Sequence, residues 1–374
     1  MNKLEMNDSQ RILIRLMRMA VECEPYEPIA LPEREWKAVY MQACQQSLTA
    51  LIFGAVNRMG GDSGIPKPLL MEWTMKAEAI RGFNAKMNAE AARLTGWFGE
   101  RGRKTAILKG QANARLYPHP EERQPGDIDI WVEGGRKSVL KLLSDENVMD
   151  TKEVVSYHHA HLKKNASGIS VEVHFRPSSG NNNPITNRRL QRFLENEIRD
   201  SKECHEGFNV PTLRFAMIMQ MAHIQRHFLS GGIGLRHIMD YYMLMSNAPN
   251  EDRQFVGERL KAFGLRNTAG AVMWLMEKLF SLPTTEMICQ SDRRRGRWML
   301  DEAFKSGNFG QYSDSRRKGF WQTVLSGRLR PIRLLGFDYR ECLWVNIKFI
   351  CYFTRTIPKR IKHRRLSLLY FHEE

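Results

Sequence analysis

Cysteine is scarce in this 374-residue sequence: there are six, at Cys23, Cys44, Cys204, Cys289, Cys342 and Cys351. None forms a CxxC pair, and the density is far below that of a disulfide-built scaffold. A reducing compartment is therefore expected, with the cysteines as small core fillers. Long apolar runs are also missing: none approaches the about 18 residues of an ordinary transmembrane helix. The opening Met1-Asn-Lys-Leu-Glu5 contains no apolar h-region, so secretion is not expected and a cytoplasmic setting is. No internal repeat and no low-complexity tract is visible, which argues against a repeat architecture or a disordered tail.

Acidic residues are in deficit. Asp and Glu number 41 against 57 Lys and Arg, giving a formal net charge of +16. The excess favours a polyanionic neighbour: nucleic acid, nucleotide phosphate or an anionic membrane face. Much of it is local, because Gln311 to Glu374 holds 14 Lys/Arg against 5 Asp/Glu, or +9 of the +16. Hydrophobic residues make up 42%, enough for a real core. At about 150 residues per domain, the length suggests two or three domains.

The hydrophobic pattern changes along the chain. The first part reads as helices. Asn7, Asp8 or Ser9 can cap one carrying Ile12, Leu13, Leu16, Met17 and Ala20. A second pattern runs from Pro32 toward Met59, and a third from about Pro66 to Phe98. Short apolar or alternating segments follow: Thr105–Leu108, Asp127–Val132, Val154–Lys163 and Ile169–Arg176. A short helical stretch at Gln111–Leu116 and a helix through Val139, Leu142 and Leu143 lie among them. Asn165-Ala-Ser-Gly168 is a hairpin turn signal. From about Thr212 to Ser306 the pattern is helical again, and a basic, aromatic segment ends the chain. The expected division is residues 1–99, helical; 100–205, the strand-bearing core; 206–310, helical; and 311–374, basic.

Gly126-Asp-Ile-Asp-Ile-Trp-Val132 carries the strongest chemical signal. Asp127 and Asp129, two apart on a strand, project to one face. Two such carboxylates repel unless a positive partner neutralises them. A divalent cation does this, and Mg²⁺ prefers a few carboxylate oxygens together with phosphate and water. The plainer reading is an edge strand with its acids in water. Upstream, Ile107-Leu-Lys-Gly110 offers a glycine for close backbone approach and a following helix N-terminus for a phosphate. Downstream, Val171-Glu-Val-His-Phe175 supplies a third carboxylate, Glu172.

Histidines add to this set. If the turn is centred on Ala166-Ser167, hairpin partners sum to 333, so His161 faces Glu172 and His159 faces His174. These side chains then share the face of the acids. They either hold a phosphate or polarise an acceptor, or they merely cover the sheet. A zinc site is less favoured, since no cysteine joins them and a hard-metal site lies beside them. Farther on, His223 and His227 share a helix face, as do Arg236 and Asp240. They form either a nucleotide-base pocket or second metal site, or an interhelical polar network closing the core. Gly231, Gly232 and Gly234 read as a helix-joining turn rather than a phosphate loop. In the tail, apolar Cys342–Phe353 precedes Arg355, Lys359, Arg360, Lys362, Arg364 and Arg365. It reads either as a membrane-surface helix or as a helix docked on the body. No sequence-specific nucleic-acid module is seen.

Leu108-Lys-Gly110, Tyr117-Pro118, Arg123, Gly126–Ile130 and Val171–His174, in this order, resemble the uncharacterised bacterial nucleotidyltransferase-like family. That family belongs to the DNA polymerase beta-type nucleotidyltransferase superfamily. The resemblance covers about residues 80–245 and continues into His223, His227, Gly234-Leu-Arg236 and Asp240. One departure stands out. The superfamily's first motif is usually Gly-Gly or Gly-Ser nearer the acids, where this chain has Gly110-Gln111.

The resemblance implies an α+β fold, in which a small mixed sheet carrying the acids is flanked by N-terminal and C-terminal helical regions. It implies metal-dependent transfer of a nucleoside monophosphate from an NTP to an unknown acceptor: a protein, a small molecule or a glycan. Asp127, Asp129 and Glu172 would be the catalytic, Mg²⁺- or Mn²⁺-binding residues. Lys109, Gly110, Gln111, Arg123, His161 and His174 would contact nucleotide or phosphate. The alternatives are an inactive nucleotide-binding or regulatory protein on this scaffold, and a partner in envelope polysaccharide assembly held at an anionic membrane surface by the basic segment.

Overall fold

The structure is a computed structural model that describes residues 6–61, 63–164, 167–307 and 329–362. Its first helix, α1 (Asp8–Ala20), begins at a capping box: Asn7 accepts from the Gln10 N–H, and the Gln10 side chain accepts from the Asn7 N–H. The single pattern expected from Pro32 to Met59 divides into α2 (Glu33–Gln45) and α3 (Thr49–Arg58). The break has a physical cause. Gln46 is buried, donates to the Ala303 carbonyl and accepts from the Leu235 N–H, while Ser47 takes a left-handed φ of 55°. A distant contact thus fixes a chain reversal that local periodicity does not show. The long α4 (Lys67–Gly99) follows, close to its expected limits.

The next stretch builds a four-stranded mixed sheet. Its strands are β1 (Thr105–Ile107), β2 (Ile128–Val132), β3 (His159–His161) and β4 (Val171–His174), in the spatial order β1-β2-β4-β3. Strand β2 runs antiparallel to β1 and parallel to β4, and β3 runs antiparallel to β4. The two acid-bearing strands are therefore central, and the edge-strand reading of Asp129 fails. Strands β3 and β4 are shorter than the alternating segments suggested. The expected turn residues Asn165 and Ala166 lie outside the described residues. The register nevertheless pairs His161 with Glu172 and His159 with His174, as expected.

Two short helices accompany these strands, α5 (Gln111–Ala114) and α6 (Gly135–Asp145). Then come α7 (Pro184–Glu197) and a small ribbon of β5 (Lys202–Glu203) with β6 (Asn209–Val210), neither of which the sequence reading resolved. The second helical part consists of α8 (Leu213–Ser230), α9 (Leu235–Asn247), α10 (Asn250–Arg259), α11 (Arg266–Phe280) and α12 (Arg293–Ser306). Gly231 to Gly234 join α8 to α9, as a helix-joining turn should. The last described element, α13 (Leu335–Lys362), has a non-helical break at Asp338.

Period-two alternation gives the sheet two unlike faces. Ile128, Ile130, Val132, Val171 and Val173 join Met87, Leu94 and Phe98 of α4 and Val139 and Leu143 of α6 in one apolar cluster. Asp129, Glu172 and His174 occupy the intervening positions, which belong to the other face. A second cluster runs through α1 to α4 and on into α8, α9, α11 and α12, with Trp131, Leu108 and Tyr117 included. The first and last helical stretches therefore share one core, which reaches the polar side of the sheet.

Candidate active site

The centre of the polar face holds Asp129, which is 1% exposed. Its own carbonyl accepts the Leu108 N–H at 2.9 Å, fixing the strand end that carries Lys109. Lys109 Nζ then lies 3.1 Å from Asp129 Oδ1, and His174 Nε2 lies 3.0 Å from the same oxygen. His174 Nε2 is also 3.3 Å from Glu172 Oε2, and His159 Nδ1 is 3.0 Å from that oxygen. Parallel pairing of Asp129 with Glu172 is what sets these carboxylates side by side. Asp127, just ahead of β2, lines the same pocket as Asp129, Lys109 and Gly110.

Burial and the field of the acids compete at each titrating neighbour, and the acids win at Lys109 and His174. Burial opposes charge on Lys109, but Asp129, Asp127 and Glu172 outweigh it and raise the pKa. Burial likewise pulls His174 down, yet its hydrogen bonds to Asp129 and Glu172 carry it up to about 9. Burial alone would raise Glu172, but His174 holds it below the usual carboxylate range, against repulsion from Asp127. His159 goes the other way: burial outweighs the attraction of Glu172 and lowers it to about 4. Protein cations therefore occupy the place where a metal would act. Two carboxylates and an imidazole, from Asp129, Glu172 and His174, bring one ligand atom each within 4.8 Å of one another. That donor set fits a divalent cation, and the buried His174 Nδ1 has no hydrogen-bond partner among the described residues. Asp127 belongs to no such group among the described residues, although it lines the pocket.

The phosphate side differs in detail from expectation. Gly110 has φ 60° and ψ −107°, a conformation that glycine tolerates, and a Cβ there would lie 3.5 Å from the Asp127 carbonyl oxygen. The turn thus packs against the acid strand. Helix α5 is only four residues long, so few peptide dipoles align behind the turn. The Gln111 side chain points elsewhere, donating to Asn84 and Asn88 of α4. Arg123 reaches the pocket wall, but its Nε and Nη2 each donate at 2.7 Å to the Asp240 carboxylate. Tyr117 Oη donates to the same carboxylate at 2.8 Å. Tyr117 and Arg123 thus join Asp240, which is 117 or more residues farther along the chain, in one buried polar network that clamps α9 to the core.

The helical part completes the pocket: His223, Arg236 and Asp240 were candidates for a base pocket, a second metal site or a polar network, whereas Gln220 and His237 were not singled out in the sequence. Gln220 and His223 come from α8, and Arg236, His237 and Asp240 from α9, opposite Asp127 and Asp129. Burial lowers Arg236 to about 10, with Arg123 adding to the effect. The rings of His223, His227 and His237 cluster with centroids 4.2 to 5.9 Å apart. Burial holds all three well below ordinary histidine, so they are neutral near pH 7. The i, i+4 spacing on α8 marks one face but cannot say which surface that face covers.

Carboxylates, a lysine and histidines thus meet at one pocket on the polar face of the sheet. The model of the family described as uncharacterised nucleotidyltransferase matches residues 32–281. The chain belongs to that family. No curated protein and no solved structure shows a significant match.

Proposed function

We propose that this chain moves a nucleoside monophosphate from an NTP to an acceptor, with Asp127, Asp129 and Glu172 holding Mg²⁺ or Mn²⁺. One observation carries the reading: Asp129 and Glu172 stand in register on the two central strands, and Asp129 lines a pocket together with Asp127, Lys109 and Gly110. Bound there, the metal would neutralise the triphosphate and lower the pKa of the attacking hydroxyl. Lys109 can leave Asp129 for a phosphate oxygen when a cation takes over the carboxylate. Gly110 and the backbone at Gln111 keep this approach free of side chains. Arg123 supports the site through Asp240, and Arg236 adds positive potential on the phosphate side. His174 orients Asp129 and Glu172, while His161 lies across the register from Glu172. Gln220, His223 and His237 form the helical wall of the pocket.

The test is calorimetry with a non-hydrolysable NTP, with and without Mg²⁺, which needs no acceptor. Wild type should bind more tightly with Mg²⁺. Asp127→Asn and Asp129→Asn should lose that gain while staying folded, because each removes one charge from a mutually repelling set. Glu172→Gln should spare nucleotide binding more than turnover. Asp127→Asn retaining the full Mg²⁺-dependent gain would overturn the reading.

A peripheral membrane contact through the C-terminal segment is favoured by a separate observation. Leu335, Tyr339 and Leu343 are exposed apolar residues at the start of α13, ahead of the basic residues. No helix among the described residues is long and apolar enough to cross a membrane.

A further inference from the structure

Beside the carboxylate centre, toward the edge of the sheet, a second group of ligand atoms comes together. His159, His161 and Glu172 each bring one ligand atom within 4.8 Å of the others. The pairing is responsible: alternate residues of β3 share a face, and the register sets His161 opposite Glu172. The two imidazole rings have centroids 4.9 Å apart, and His159 Nδ1 lies 3.0 Å from Glu172 Oε2. Strand β3 is an edge strand, and all three residues are half-buried, so open coordination positions would face solvent.

We propose that His159, His161 and Glu172 hold a divalent transition-metal ion of the Zn²⁺, Co²⁺ or Mn²⁺ class. Two imidazoles with one carboxylate is a donor set that open, catalytic zinc sites use. Mg²⁺ is a harder ion that favours oxygen ligands and keeps its water, so this set discriminates against it. The neighbouring group of His158, His159 and His174 lacks a carboxylate to offset the charge of the ion, which favours the set containing Glu172. The inference rests on the proposed reaction in one respect, since Glu172 is shared. It makes the ion on the Glu172 side different in kind from the ion held by Asp127 and Asp129. The hydroxyl of an acceptor arriving at the open edge would meet the transition-metal ion, while the triphosphate meets the harder one.

The experiment titrates the full-length chain with Co²⁺, without nucleotide, and follows the visible d–d absorption. One Co²⁺ per chain is expected, displaced by Zn²⁺ and not by millimolar Mg²⁺. His161→Ala should weaken Co²⁺ by more than the about 10- to 100-fold that loss of a mere supporting contact costs. His161→Gln, closer in size, repeats the test if the alanine variant fails to fold. Asp127→Asn should keep Co²⁺ binding. It thereby separates this inference from the nucleotide reading, which Mg²⁺-dependent NTP calorimetry decides independently. A wild-type chain that takes up no Co²⁺ overturns the proposal without any variant. So does Co²⁺ binding that survives both substitutions at His161, or that His158→Ala weakens as much as His161→Ala does.

Discussion

Asp240 is a carboxylate with almost no access to water, and its role follows from what it touches. It is 3% exposed and its Arg123 partner 4%, and the pair is bidentate. Removing one member leaves an uncompensated buried charge, which costs about 3–5 kcal/mol. Asp240→Asn should therefore destabilise the chain by about that amount at neutral pH. The pH dependence has a definite sign. Burial would raise the Asp240 pKa, but Arg123 outweighs it and holds the pKa below the ordinary value. A carboxylate lowered in the folded state contributes stability above its unfolded pKa of about 3.9, and loses it as pH falls through the folded value. Urea unfolding of the two proteins should show a wide gap at pH 7 that narrows below about pH 4. A gap constant into strong acid would mean that the pair is not its source. The sequence displayed Arg123 and Asp240 as separate residues far apart. It could not show that each neutralises the other, because no local pattern encodes a contact across that chain distance.

Local pattern did encode much of the sheet. Alternation around Asp127–Val132 and Ile169–Arg176, with one turn signal between the histidines and Glu172, was enough to fix the register. It could not fix the sheet order, since a central and an edge strand look alike when one face is polar. It also could not show which helices cover that face, so Gln220 and His237 were invisible as pocket residues and His223 was legible only as one of several alternatives. Among the helices, α2 and α3 were read as one because the Gln46 contacts that end α2 come from α12 and the start of α9. Two glycines test how far helix packing departs from propensity. Gly82 of α4 is exposed, and a Cβ there would meet nothing within 4 Å. Gly82→Ala should raise stability by about 1 kcal/mol. Gly54 of α3 is different: a Cβ would lie 2.1 Å from Glu122 Oε2. That carboxylate is 1% exposed and paired with Arg58 and Arg81. Gly54→Ala should push it aside and cost about 1–3 kcal/mol, as overpacking a buried site does. Thermal unfolding of both variants checks the opposite signs. A stabilising Gly54→Ala would show that Glu122 can move without loss.

The charge of the whole molecule is concentrated at its C-terminal end, and there the structure separates packing from surface. Phe337 is fully buried, with its ring centroid 4.5 Å from that of Phe228 in α8. Its carbonyl accepts from Arg295 Nε at 2.7 Å, and Leu334 and Cys342 are buried in the same core. Nearby, the Glu341 carboxylate accepts the backbone N–H groups of Asn182 and Asn183, just ahead of α7. The start of α13 is therefore a docked element, and deleting everything after Gly310 would expose this core as well as remove charge. Single substitutions separate the two effects. Phe337→Ala should cost about 3–5 kcal/mol through the cavity it leaves. Leu343→Ser lies on the exposed side, 52% exposed, and should change stability by no more than about 0.5 kcal/mol. If the exposed apolar residues and the basic tail together seat the chain on anionic lipid, Leu343→Ser should weaken co-sedimentation with phosphatidylserine vesicles while unfolding at the wild-type temperature. Added salt should weaken it further, since the charge contribution is screened. Equal vesicle binding by wild type and Leu343→Ser, with both forms equally stable, would remove the membrane contact and leave the start of α13 with its packing role alone.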